Sequence, residues 1–229
     1  MVLDFYCGDG RGGIHMIVGP MFSGKSTELF RQLNRYELAG KKTVLVKYAK
    51  DNRYDSEMAS THDAKKMKAL KALRLSDVIN TIQQYQVIGV DEGQFFDDIV
   101  TISEALANMG KTVIIAALDG DFRREPFPTI ARLYSLSEKV DKLTAVCRQC
   151  SYFASFTTRT KPYSEESDEF PTKHYKNADL LAVCRRCYND ARGKLCVENT
   201  STNELAFSQK RECEDESDDN SVVLKRRNA

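Results

Sequence analysis

Two hydrophobic periods take turns along this chain. Ile14 to Val18 is a short apolar run that ends at a glycine, the pattern of a buried strand. Thr27 to Ala39 then spaces its apolar residues for a helix. Thr43 to Tyr48 (TVLVKY) is β-branched and apolar, a second strand. Ala64 to Leu75 has helical spacing and a basic exposed side. Val87 to Val90 (VIGV) is a short buried strand that runs straight into Asp91-Glu92. Ile99 to Met109 reads as a helix ended by Gly110. Thr112 to Leu118 (TVIIAAL) is the most strand-like segment, and Pro126 to Leu136 fits a further helix with proline near its first turn. Strands alternating with helices predict an α/β fold, a parallel sheet flanked by helices. Right-handed crossovers then put the carboxyl ends of the strands, and the loops after them, on one side.

The loop after the first strand carries the clearest chemistry. Gly19-Pro20-Met21-Phe22-Ser23-Gly24-Lys25-Ser26 fits G-x-x-x-x-G-K-[ST] without a mismatch, between a strand and a helix. In that setting several backbone N–H groups and the positive end of a helix dipole converge on one point. Lys25 can reach the β- and γ-phosphates, and the Ser26 hydroxyl can ligate Mg²⁺. A chance Gly/Ser-rich turn would lack the flanking strand and helix. A nucleoside triphosphate is therefore the expected ligand, and the sheet is of the P-loop NTPase type. Asp91-Glu92, after its own apolar strand, supplies the acidic partner: one carboxylate to support Mg²⁺, the other to act as base. The base could activate water, giving an NTPase, or a substrate hydroxyl, giving a kinase.

The pattern changes after about Asp141. Cys147-x-x-Cys150 and Cys184-x-x-Cys187 offer four thiolates in two chelating pairs, suited to a closed tetrahedral Zn²⁺ site rather than to four spare thiols. The 33 residues between the pairs form a polar, strand-poor loop pinned at its base. Beyond Gly193 the apolar pattern fades into an acidic block, Glu212 to Asp219, and a basic end, Lys225-Arg226-Arg227; such a tail is expected to be disordered. The predicted organisation is residues 1–141 as the ATP-binding unit, 142–192 as a zinc-binding unit with a substrate lid, and 193–229 as the tail. Cys7, Cys196 and Cys213 lack partners at useful spacing. His15 reads as strand packing, and His62 and His174 as solvated residues.

Charge narrows the partners. Thirty-four basic and 33 acidic side chains leave a net charge of +1. That gives no global attraction to nucleic acid or an anionic membrane. The run Lys65-Lys66, Lys68, Lys71 has no interleaved aromatics to stack bases. No apolar stretch approaches the roughly 20 residues of a membrane helix, and the first residues do not read as a secretory signal. The expectation is a soluble cytoplasmic protein, with thiols rather than disulfides.

Several blocks are long enough to compare with a family. They are GPMFSGKSTEL (Gly19–Leu29), VKYAKDNRY (Val46–Tyr54), THD (Thr61–Asp63), VIGVDEGQFF (Val87–Phe96), GKTVIIAALDGDFRREPF (Gly110–Phe127) and KLTAVC (Lys142–Cys147). Together they closely resemble the type II thymidine kinases, the zinc-containing cytosolic class, from about Ile14 to Tyr188. The resemblance implies ATP-dependent, Mg²⁺-assisted phosphorylation of the thymidine 5′-hydroxyl with Glu92 as general base. It places Asp91, Gln94 and Arg53 with the P-loop on the nucleotide side. It matches Met21, Phe95, Leu118, Phe122 and Phe127 to the apolar wall around thymine, and Thr157 to the residue near the thymine methyl. It also implies a lasso-like lid anchored by structural zinc, a homotetramer, and feedback inhibition by dTTP. The lid departs from the family pattern: Leu180 stands where a tyrosine is usual, no Gly-Gly precedes it, and Tyr163 to Lys173 is acidic. Tyr175 is the residue available to take over the missing contact.

Overall fold

A computed structural model describes residues 11–50, 69–160 and 180–191. Six strands form one sheet: β1 (Gly13–Gly19), β2 (Thr43–Tyr48), β3 (Ala69–Ala72), β4 (Val87–Val90), β5 (Thr112–Leu118) and β6 (Lys139–Lys142). Their order is β3-β2-β4-β5-β1-β6, and each neighbouring pair is parallel. The helices α1 (Lys25–Leu38), α2 (Ile79–Ile82), α3 (Ile99–Asn108) and α4 (Pro128–Tyr134) accompany the sheet, and residues 185–191 are also helical.

The predominantly apolar runs of β1 and β5 follow from burial on both faces. Successive side chains point to opposite faces. Ile14, Met16 and Val18 of β1, with Val113 and Ile115 of β5, pack against Ile99 and Leu106 of α3 and Leu133 of α4. Ile17, Ile114 and Ala116 face the other way, against Leu29 and Leu33 of α1. The expected α/β architecture is the one observed, with one correction. Helical spacing was expected over Ala64 to Leu75, but Ala69–Ala72 is the edge strand β3, parallel to β2. Ala72 is buried and Leu70 half-buried while Ala69 and Lys71 are exposed. This period-2 alternation suits an edge strand that buries one face.

Strand β6 escapes the sequence pattern because an edge strand of four residues, KVDK, buries little of its surface. Beyond it comes β7 (Ala145–Val146), and the segment between the cysteine pairs, expected to be strand-poor, holds β8 (Phe153–Ala154), β9 (Phe156–Arg159) and β10 (Leu180–Val183). These form two antiparallel pairs, β7 with β8 and β9 with β10. Their small core is built around Cys147, Cys184, Cys187 and Tyr188 rather than around long apolar runs. Leu180, at the atypical lid position, is buried at the start of β10. His15 packs inside β1 as expected, with its Nε2 2.7 Å from Asp141 Oδ2. No helix among the described residues is long and apolar enough to cross a membrane.

Helix α1 packs closely on the sheet at Gly89 of β4. A methyl group there would lie 2.5 Å from Leu33 Cδ1 and 3.2 Å from its Cγ. Leu33 is fully buried and cannot step aside. Gly89→Ala is therefore expected to lower stability by about 1–3 kcal/mol through overpacking. Urea denaturation checks this, and Gly89→Ala combined with Leu33→Val is expected to cost less than the sum of the two single changes.

Candidate active site

The site forms where β1, β4 and β5 end. At Gly19 the backbone turns with φ of +151°, and a Cβ would stand 2.5 Å from the Leu143 carbonyl oxygen, so only glycine fits. The loop then closes on itself. Ser23 Oγ donates to the Pro20 carbonyl at 2.9 Å, and Lys25 Nζ donates to the same oxygen at 2.8 Å. Helix α1 starts at Lys25, so its first N–H groups and its dipole point into the loop. Phe22 sits in the left-handed region (φ 62°) and is exposed.

Asp91 follows β4, and its N–H donates to the Val46 carbonyl of β2 at 2.9 Å. Its carboxylate accepts a hydrogen bond from Ser26 Oγ at 2.9 Å and another from the Glu92 N–H at 3.1 Å, both on Oδ1. Burial and the neighbouring Glu92 charge raise its pKa from 3.8 to about 6, against the opposing pull of Ser26 and Lys47. Glu92 is held in the left-handed region, φ 56°, unusual for a residue with a long side chain. Gln94, itself buried, holds its carboxylate: Nε2 donates to Glu92 Oε2 at 2.5 Å, while Oε1 accepts from the Leu118 N–H at 3.1 Å. The Leu118 N–H requires an acceptor, which fixes which way round the Gln94 amide sits. Two adjacent carboxylates thus have distinct settings, one tied to the P-loop serine and one aimed by an amide.

The residues matched to the thymine wall gather around this centre unequally. The Met21 N–H donates to the buried Thr157 Oγ1 at 3.0 Å, so β9 touches the P-loop directly. The Phe95 ring lies 5.2 Å from Tyr48. Leu118 is half-buried at the end of β5. Phe122 is half-buried, with the Arg159 guanidinium 4.0 Å and the Arg123 guanidinium 5.3 Å from its ring centroid. Phe127 is 7% exposed and belongs to the main core, next to the proline that opens α4. Arg53, Tyr175, His62 and His174 lie outside the described residues, as do the acidic stretch Tyr163 to Lys173 and the segment 193–229. Sequence reasoning passed over Tyr48, Arg159 and Tyr188. Of these only Tyr188 carried a signal, its place directly after the fourth cysteine.

The cysteines Cys147, Cys150, Cys184 and Cys187 bring their sulfurs within 4.8 Å of one another, with Cys150 and Cys184 at 3.6 Å. Tetrahedral zinc at about 2.3 Å from each sulfur needs sulfurs roughly 3.8 Å apart. The donor set and spacing fit that ion, and with four protein ligands the site is closed, hence structural in type.

Asp91 has a consequence for stability. Its folded pKa lies above the unfolded value, so the folded state binds the extra proton between pH 4 and 6 and loses stability as pH rises through that window. Asp91→Asn in the metal-free protein is therefore expected to raise stability at pH 7.5 by on the order of 2–3 kcal/mol, and by little at pH 4. Urea denaturation at the two pH values measures the difference.

Comparison with known proteins places this geometry. The family model described as thymidine kinase matches residues 12–188. The thymidine kinase of Vaccinia virus (strain Western Reserve) is 49% identical over 180 residues, covering 79% of this chain and 98% of the relative. That of Monkeypox virus is 49% identical over 180 residues, with the same shares. The cytosolic thymidine kinase of Bos taurus is 51% identical over 178 residues, covering 78% of this chain and 72% of the relative. Among solved structures, the flagellar accessory protein FlaH from Methanocaldococcus jannaschii is a distant likeness, with a TM-score of 0.43 at 13% identity over 64% of this chain and 78% of that one. The P-loop, the Asp91-Glu92 turn and the four-cysteine cluster all lie within the matched span, and the chain belongs to the thymidine kinase family.

Proposed function

We propose that this chain transfers the γ-phosphoryl group of ATP to the 5′-hydroxyl of thymidine, giving dTMP and ADP. One observation carries the reading: Asp91 is hydrogen-bonded to Ser26 of the P-loop at 2.9 Å, and Glu92 is the next residue. The group that would receive the hydroxyl proton is thereby one residue from the loop that would hold the donor phosphates.

In the transfer, Glu92 takes the proton from the 5′-hydroxyl as that oxygen bonds to the γ-phosphorus, and the bond to the β-phosphate oxygen breaks. Ser26 and Asp91 are hard oxygen donors suited to Mg²⁺, which would neutralise phosphate charge when bound. Lys25 would exchange its contact with Pro20 for the phosphates, the remaining P-loop N–H groups would cradle them, and Arg53 would lie near the moving group. Gln94 keeps the Glu92 carboxylate aimed. Met21, Phe95, Leu118, Phe122 and Thr157 would enclose the base, with Phe127 behind them and Tyr175 contributing from the lid. Flat apolar and sulfur contacts suit a methylated pyrimidine. Zinc would anchor the two ends of the lid, which excludes water that would otherwise consume the activated phosphate.

The resemblance to the type II class supports the further parts of the proposal, and the cytosolic relative from Bos taurus supports one of them, the cytosolic setting. These are a homotetramer, inhibition by dTTP, a cytosolic setting, and a division of the chain near 141/142 and 192/193. Glu92→Gln tests the central assignment. It is expected to lower kcat about 10²- to 10⁴-fold while the ATP dissociation constant changes less than about twofold. Single-turnover assays and calorimetry read the two quantities, and near-normal turnover would remove Glu92 from the role of base.

A further inference from the structure

Three residues of the cysteine-bearing part of the chain, Phe156, Arg159 and Tyr188, converge on one short loop, the residues after β5. That loop is stapled from within. Gly120 bridges to Pro126, and the Asp121 N–H donates to the Glu125 carbonyl at 2.9 Å. The buried Asp121 carboxylate accepts from the N–H groups of Arg123 and Glu125, both at 2.8 Å, and from Arg123 Nε at 3.0 Å. A loop so braced moves as a unit, so whatever grips it at one point positions all of it.

The grip comes from Tyr188 and Arg159. Tyr188 Oη donates to the Phe122 carbonyl at 2.9 Å. Arg124, held in the left-handed region at φ 69°, lays its guanidinium 4.3 Å from the Tyr188 ring centroid and 5.3 Å from that of Phe156. Arg159 covers the Phe122 ring at 4.0 Å. Tyr188 is itself fixed by the cysteine centre. It is 1% exposed, follows Cys187 directly, donates its N–H to the Cys184 carbonyl at 2.9 Å, and packs in the small core with Cys147, Cys184 and Cys187. The turn that presents two of the four sulfurs thus also aims the phenol at the backbone of Phe122.

We propose that Tyr188 is a positioning residue for the nucleoside pocket, coupling the four-cysteine centre to Phe122, so that metal occupancy and thymidine binding reinforce each other. The inference rests on the thymidine reading above, in which Phe122 borders the base. A shift of the cysteine turn when metal leaves displaces the phenol, and with it the loop. Reciprocity then requires that thymidine, by holding Phe122, also holds the metal.

The test uses the zinc-loaded full-length protein and the change Tyr188→Phe, which keeps the ring and removes only the hydroxyl. Thymidine KM is expected to rise about three- to tenfold, the range of one lost hydrogen bond, with ATP KM and kcat retained. The second measurement is the rate of zinc transfer to a coloured chelator, with and without saturating thymidine. Thymidine is expected to slow transfer severalfold in the native chain and less than about twofold in Tyr188→Phe. Arg124→Gln, a change at an exposed side chain, is expected to act in the same direction if the first variant folds poorly. Undiminished slowing in both variants, or a parallel rise of thymidine and ATP KM, would overturn the coupling. If the native chain phosphorylates thymidine but thymidine leaves zinc transfer unchanged, the coupling alone falls. If thymidine is neither phosphorylated nor felt at the zinc, the thymidine reading falls with it.

Discussion

One hydrogen bond, from Ser26 Oγ to Asp91 Oδ1 at 2.9 Å, ties the loop after β1 to the turn after β4. The two strands are not neighbours, since β5 lies between them, so the bond reaches across the carboxyl edge of the sheet. It costs the fold something. Asp91 is buried beside another carboxylate, and its pKa stands at about 6. Carboxylates with raised pKa values gather at functional sites, which supports the role proposed for Asp91. In the proposed mechanism Mg²⁺ relieves that burden. The left-handed turn at Glu92, the amide brace from Gln94 and the end of β5 at Leu118 are all arranged around the same point.

Among the contacts that join the second part of the chain to that edge are two hydrogen bonds, from the Met21 N–H to Thr157 Oγ1 and from Tyr188 Oη to the Phe122 carbonyl. Each pairs a side chain of the cysteine-bearing part with a main-chain group of a loop in the sheet-bearing part. A main-chain partner holds the loop itself, whichever side chain the loop carries. In the proposed coupling the four cysteines would do more than close a small core: by fixing residues 184–188 they would set the position of Phe122, and a bound metal would reach the site without a place in the chemistry.

Much of this was legible in the sequence, for physical reasons that differ by element. The strands β1, β2, β4 and β5 are largely buried on both faces, so apolar residues dominate them and their limits are clear. The P-loop and the Asp91-Glu92 turn depend on backbone geometry that few sequences satisfy. Where burial is partial the signal weakens. The edge strand β3 was hidden in a stretch with helical spacing, and β6 in four mostly polar residues. The strands β7 to β10 are short because sulfur chemistry replaces apolar length in their core. Contacts such as Arg159 over Phe122 join residues 37 positions apart through tertiary packing alone, and no local pattern announces them. Phe127 shows the opposite case, an aromatic matched to the pocket that is also a member of the main core.

The most direct measurement follows both products of the reaction at once. The chain is incubated with ATP and Mg²⁺ alone and with thymidine, deoxyuridine or deoxycytidine, and nucleoside monophosphate and free phosphate are counted together. Phosphoryl transfer to thymidine predicts dTMP equimolar with ADP, little free phosphate, and the highest rate with thymidine. Free phosphate released equally with and without nucleoside, and no monophosphate, would contradict it.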